Sequence, residues 1–288
     1  MARVGILTDT TASIPQYLVA ELQIELVPYH VMREGQDLRD AFDVKPEAFA
    51  EYLRGLKTDA KLPTTSFPSP GEYVAGFRKL AERTREIVAL TMTSKGSGAF
   101  QSCKTSADLM RQEMDDLKIE IVDTLQVAMA HGWAAIEAAR VAKQDAALAQ
   151  VVDRAHLVAK KAMMVQTADT LRYLYMGGRI GRAQHLMAHW LNIKPLIGMQ
   201  EGVISALGTA RTRMRAYARM VELVHAHTAD ARHVHLAFVH CGAADQTESL
   251  RDLYFQKANC IEEMTTPLSP ALAVHSGPGT VGICCFAE

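Results

Sequence analysis

The chain has 288 residues, a formal net charge of -1, and 49% hydrophobic against 22% charged residues. That is a globular composition, long enough for two cores, and it holds no basic block that would favour nucleic acid. Aromatic residues make up only 6%, so the interior is expected to be aliphatic and methionine-filled. No run approaches the ~20 apolar residues of a bilayer span, and Asp9 follows Arg3 too soon for a signal peptide, so a cytoplasmic location is expected.

Val4 to Asp9 reads as a buried first strand that ends in a polar turn, with Ser13 placed to cap a helix begun by Ile14-Pro15. A second strand is expected near Ile24 to His30, a turn at Glu34-Gly35, and a helix over Lys45 to Leu56 opened by Pro46. Thr64 to Gly71 reads as a proline-stiffened loop, Gly71 to Glu82 as a helix and Ile87 to Leu90 as a strand. Phe100, Cys103, Ala107, Met110 and Met114 then recur at helical steps. A strand Ile119 to Val122 and a helix Val127 to Val141 follow, and the helix Asp145 to Lys161 is the expected boundary between a unit 1–160 and a unit 161–288.

Short apolar strands alternating with helices predict an α/β first domain built on a parallel sheet. The second half reads as an α+β domain with mixed or antiparallel pairing. Its predicted elements are a strand Ala162 to Thr167, a helix Asp169 to Met176 capped by Asp169, a helix Arg182 to Trp190, and a hairpin Lys194 to Leu207 turning at Glu201-Gly202. A helix Arg211 to His227, a strand His233 to Val239, a helix Asp245 to Lys257, a strand near Ile261 and a strand Val281 to Phe286 complete it.

The stretch Thr91 to Gly98 joins a strand to a helix start through hydroxyls and glycines with no acidic residue. Unpaired N–H groups at a helix N-terminus make such a loop an anion cradle, suited to a carboxylate or phosphate, although taken alone it reads more readily as a capped βα loop. His275 before Ser276-Gly277-Pro278-Gly279 is, by itself, more readily a turn-fixing residue than a ligand contact, and Arg179 beside Arg182 reads equally as a solvated one. Asp9 stays open between turn former and site residue, and Lys194 between strand cover and ligand contact. The histidines 225, 227, 233, 235 and 240 lack a carboxylate or cysteine at ligand spacing and read as surface residues, so no metal or other cofactor is expected. The five cysteines lack a C-x-x-C pair and read as reduced core residues.

Six motifs in order carry a resemblance over nearly the whole chain: Ile6 to Ala12, Thr65 to Gly71, the cradle, Gly177-Gly178-Arg179-Ile180, Asn192-Ile193-Lys194-Pro195, and His275 to Gly279. Together they resemble the DegV family of bacterial fatty-acid-binding proteins. The resemblance implies a two-domain fold with a long-chain fatty acid at the junction, its tail in a tunnel, and an ATP-dependent fatty acid kinase as partner. It implies a non-catalytic carrier with transient membrane contact. By position, Thr65 and Ser94 hydrogen-bond the carboxylate with backbone N–H groups near Lys95, and Ser97 and Gly98 complete the cradle. His275 approaches directly or through water, and Arg179 helps present the head group. Phe67, Gly96 and Ala99 depart from the family's usual glutamine, leucine or isoleucine, and threonine. Competing readings are an acyl hydrolase using Ser94 or Ser97 with His275 and Asp9, or a carrier of another anionic lipid. Against the hydrolase, the cradle lacks the spacing of a nucleophile elbow.

Overall fold

The computed structural model describes residues 3–57, 59–189 and 193–288, and for 187–189 the backbone alone. In chain order the first part forms β1 (Val4–Asp9), α1 (Gln16–Glu21), β2 (Glu25–Val27), β3 (His30–Arg33), β4 (Gln36–Arg39), α2 (Pro46–Gly55), β5 (Thr64–Ser66), α3 (Pro70–Ala81), β6 (Glu86–Thr91), α4 (Ala99–Glu113), β7 (Lys118–Asp123), α5 (Ala128–Ala142) and α6 (Leu148–Lys161). It continues with β8 (Met163–Thr167), α7 (Arg172–Met176), β9 (Lys194–Gln200), β10 (Val203–Ala210), α8 (Arg213–Thr228), β11 (Val234–His240), α9 (Ala244–Phe255), β12 (Glu262–Pro267), α10 (Pro270–Ser276) and β13 (Val281–Ala287).

The first sheet is parallel, in the order β2-β1-β6-β7. Strand alternation divides its side chains between two apolar layers. Leu7, Ile87, Ala89 and Ile119 pack with Tyr73, Phe77, Cys103 and Met110 of α3 and α4. Ile6, Val88, Leu90 and Val122 point the other way, into the layer of α5 and α6. Both faces of the central strands β1 and β6 are covered, which is why these two read as near-continuous hydrophobic runs.

The second sheet has the order β10-β9-β8-β13-β11-β12 and is antiparallel except for β11 with β12. Its outer face packs on α8 and α9 through Tyr217, Met220, Phe238, Tyr254 and Ile283. The inner face meets α5, which also touches β1 and β6 and so lies between the two sheets. Thirteen of the 15 residues of α5 are buried, seven of them alanine. A helix apolar all round can only sit inside, and alanines let both sheets approach closely. Trp133 fills the remaining gap and donates Nε1–H to Cys284 O at 3.3 Å.

A third, small sheet of order β4-β3-β5 is antiparallel. Glu34 and Gly35 turn its hairpin with φ of 52° and 81°, and Glu201 and Gly202 turn the β9–β10 hairpin with 51° and 79°, the positive-φ pairs that suit two-residue hairpins.

Several expectations are corrected. Ser13 ends the 3-10 turn Thr10–Ala12 in a left-handed conformation and does not cap α1, whose N-cap is Pro15. Its Oγ instead accepts Ser269 N–H at 3.0 Å. Asp169 does not cap α7; it pairs with Lys194 Nζ at 2.7 Å and with Arg213. The segment Gly181–His189 is 3-10 rather than α, while Trp190 and Asn192 lie outside the described residues. Thr64–Ser66 is a strand, not a loop, and His275 lies in the last turn of the unforeseen helix α10. Cys260 is only partly buried; the other four cysteines are buried, and all five are free.

Candidate functional site

The parallel strands end at Asp9, Thr91 and Asp123, where sheets of this kind place ligands. Asp9 is fully buried and uses both oxygens structurally. Oδ1 accepts Thr11 N–H at 3.0 Å and the Thr11 hydroxyl, and Oδ2 accepts Met92 N–H at 3.1 Å across to the neighbouring loop. Asp9 is therefore a turn former that sets the spacing of two loops. Asp123 Oδ1 does the same for the cradle, accepting Ser94 N–H and Leu125 N–H, each at 3.1 Å. Gly98 is the N-cap of α4, whose first turn contains no acidic residue, so the positive end of the helix dipole is left uncompensated there.

These loops, α10 and the β9–β10 hairpin enclose a cavity of about 340 Å³. Met92, Val127, Met164, Leu174, Met199 and Leu272 supply its apolar wall, and Thr11, Tyr29, Thr65, Thr93, Gln166 and His275 its polar positions. Thr65 Oγ1 and His275 Nε2 are 2.8 Å apart. Tyr29 OH lies 2.6 Å from Ser97 Oγ, which also accepts Ala99 N–H at 3.2 Å. Burial, reinforced by the Arg179 charge, lowers the His275 pKa to about 4, so the imidazole is neutral at pH 7. Burial, with the Asp9 carboxylate second, raises the Tyr29 phenol well above its ordinary value, so it keeps its proton. Arg179 is exposed on the cavity rim, and its Nη1 donates to Gly177 O at 2.8 Å.

Of the residues singled out in the sequence, Thr65, Lys95, Arg179 and His275 line the cavity. Ser97 joins it through Tyr29. Gly98 lies under the Phe67 ring, which leaves no room there for a Cβ. Ser94 is exposed on the outer side of the loop with its N–H held by Asp123, and it is Thr93 that faces the cavity, its hydroxyl donating to Gly202 O at 2.8 Å. A one-residue difference in facing cannot be read from a hydroxyl-rich loop. Thr11 stood within the Ile6 to Ala12 motif without being singled out, and Tyr29 and Gln166 gave no sequence signal, since they stand in runs that look like ordinary strand.

Among the described residues, no hydrogen bond links His275 to Ser94, Ser97 or Asp9, and Asp9 Oδ2 approaches His131 instead, at 3.8 Å. The set weighed for a hydrolase is thus not assembled as a triad. The expectation of surface histidines is corrected for His235 and His240, which are buried; His235 Nδ1 lies 2.8 Å from Glu262 Oε2 and its ring stacks on Phe286. Among the described residues no three His, Cys, Asp or Glu side chains come together as a metal site, and no helix is long and apolar enough to cross a membrane.

Fold and site define a mixed α/β protein in which loops at the ends of the parallel strands, α10 and strands of the mixed sheet enclose a cavity with an apolar wall and polar positions that include Thr65 and His275. The chain belongs to the DegV family, whose profile matches residues 3–288. A DegV domain-containing protein of Deinococcus radiodurans is 29% identical over 285 residues, 97% of each chain. One from Clostridium perfringens is 29% identical over 285 residues, 99% of each. Among solved structures, a DegV family protein from Thermus thermophilus, described as binding fatty acid, superposes with a TM-score of 0.92 at 26% identity, covering 99% of this chain and 100% of that one. DegV of Bacillus subtilis, described as a fatty acid binding protein, shares the fold at TM-score 0.87 and 23% identity over 100% of both chains.

Proposed function

We propose that the protein is a non-catalytic carrier of a long-chain fatty acid, with the carboxylate at the Thr65–His275 pair and the tail in the 340 Å³ cavity. The observation that carries this reading is that neutral donors and an uncompensated helix N-terminus stand at one side of a cavity whose wall is largely apolar. The two ends of a fatty acid ask for these two environments. Burying about fourteen methylenes at ~0.8 kcal/mol each is worth roughly 11 kcal/mol gross, from which the cost of immobilising the chain is subtracted. The tail supplies affinity, and the head group supplies register through charge-assisted hydrogen bonds. The fatty acid described for the Thermus thermophilus relative supports the ligand class.

In this reading Thr65, Ser97, His275 and the Lys95–Gly98 backbone hold the carboxylate, and Ser94, which does not face the cavity, is left out. Residues 1–160 supply the cradle and 161–288 close the tunnel. Hydroxyl and imidazole partners leave a carboxylate oxygen free to attack ATP on a cytoplasmic kinase, and Arg179 at the rim helps present it. The test is to purify the protein, denature it, extract with solvent and identify released lipid by mass spectrometry. Stoichiometric free fatty acid is the expected outcome. A phospholipid would redirect the reading to another anionic lipid, and an empty extract with no uptake of added fatty acid would overturn it.

A further inference from the structure

One residue of the second sheet breaks the apolar character of the cavity wall. Gln166, on β8, is 6% exposed, lines the cavity, and its side chain makes no hydrogen bond to any described residue. Its backbone is paired on both sides, with Ile197 of β9 and Gly282 of β13, so the sheet fixes where the amide goes. Gly282 makes the room: a Cβ there would stand 3.0 Å from Gln166 Cβ. Met164, two residues earlier on the same strand face, and Met199 of β9 bring the apolar wall up to the amide.

An amide carries two N–H donors and a carbonyl acceptor. A plain hydrocarbon laid over it expels water and returns nothing, leaving those groups buried and unpaired. Leucine or methionine would suit an unsubstituted tail better at similar volume. We propose that Gln166 recognises a hydroxyl group carried partway along the acyl chain, so that the favoured ligand is a hydroxylated long-chain acid. The hydroxyl donates to the amide oxygen and accepts from its NH₂, restoring what desolvation removes. The inference rests on the fatty-acid reading of the same cavity and names the ligand within that class.

The experiment measures binding of stearate and of a series of hydroxystearates, with the hydroxyl moved stepwise along the chain, to the wild type and to Gln166→Leu. The wild type is expected to bind one positional isomer roughly tenfold tighter than stearate, the equivalent of about 1.4 kcal/mol and near the upper value of one hydrogen bond. Gln166→Leu is expected to lose or reverse that preference while holding stearate at least as tightly. Gln166→Met, flexible and close in volume, gives the same readout if leucine disturbs the strand. Equal binding of every isomer and stearate by the wild type, or a preference that survives in both variants, overturns the assignment to Gln166. Failure of the wild type to bind any of these acids would instead overturn the carrier reading on which it rests.

Discussion

His275 Nε2 and Thr65 Oγ1 stand 2.8 Å apart across 210 positions of sequence, so one contact joins the last turn of α10 to the short strand β5 at the cavity. Because burial and then Arg179 lower the His275 pKa from 6.5 to about 4, the folded protein favours the neutral ring. The resulting stability is fully present above pH 6.5 and is lost as the pH falls from there through about 4. Urea unfolding of wild type and His275→Gln across that window should show the variant with the shallower acid-side loss; parallel curves would exclude His275 as the titrating group. Thr65→Ala should cost about 1 kcal/mol by leaving Nε2 unpaired, and should lower the amount of lipid co-purified.

Gly177 is small because His275 lies against it. A Cβ at position 177 would collide with His275 Nδ1 and stand 3.0 Å from Tyr173 O. Gly177→Ala is therefore expected to destabilise by roughly 1–3 kcal/mol through overpacking and to reduce lipid retention by displacing the imidazole. In Gly177→Ala/His275→Ala, stability should partly recover while retention stays low, a coupling that a double-mutant cycle reads directly. Additive losses would show that the glycine serves the backbone instead.

Asp40 anchors the other end of α10. Its Oδ2 accepts the Thr10 hydroxyl at 2.9 Å and Ala271 N–H at 3.3 Å, while the buried Oδ1 has no partner among the described residues. Burial raises the carboxyl from 3.8 to about 7, more than the hydrogen bonds from Thr10, Ser269 and Ala271 lower it. For a raised acid the sign is opposite to that of His275. Its contribution is fully present below pH 3.8 and is lost as the pH rises through about 7. Asp40→Asn, which cannot ionise, should gain on the wild type by something on the order of 1–3 kcal/mol in going from well below to well above pH 7. Thermal unfolding at the two extremes measures it, and an unchanged difference would mean that Asp40 does not titrate in this range.

Elements of the two large sheets were legible where a strand is apolar or a turn is marked by its residues: Val4 to Asp9, Glu86 to Thr91 and the Glu201-Gly202 hairpin all stand where the pattern puts them. What escaped was short and held by distant partners. β5 is three hydroxyl residues that become a strand only because Val31 and its neighbours pair with them. α10 opens at Pro270 with Ser269 as its cap, yet its burial depends on Asp40 and Ser13, more than two hundred positions away. The cavity is less legible still. Thr93 faces it and Ser94 does not, a choice made when Asp123 fixes the loop, and Gln166 acquires meaning only when the loops, α10 and the β9–β10 hairpin close around it.

Arg179 follows Gly178, whose φ of +68° turns the chain at the end of α7. Its guanidinium is exposed, and among the described residues it hydrogen-bonds the Gly177 carbonyl but no carboxylate. A cation left without a counter-charge at a cavity rim is placed to meet an anion arriving from outside, and on the proposed carrier reading the tail contacts that set affinity lie elsewhere. Arg179→Ala is therefore expected to change fatty-acid affinity by less than about threefold, since an exposed charge is worth only ~0–1 kcal/mol. It should lower kcat/KM for acyl phosphate formation by an ATP-dependent fatty acid kinase by roughly tenfold or more. Arg179→Lys should recover part of that, keeping the charge but not the planar fork. An independent reading comes from the imidazole: with the neighbouring charge gone, the His275 pKa should move up from about 4, though burial keeps it below 6.5. Loss of bound lipid in Arg179→Ala would instead make this arginine a ligand-holding residue, and an unmoved His275 titration would place its charge too far away to act on the head group at all.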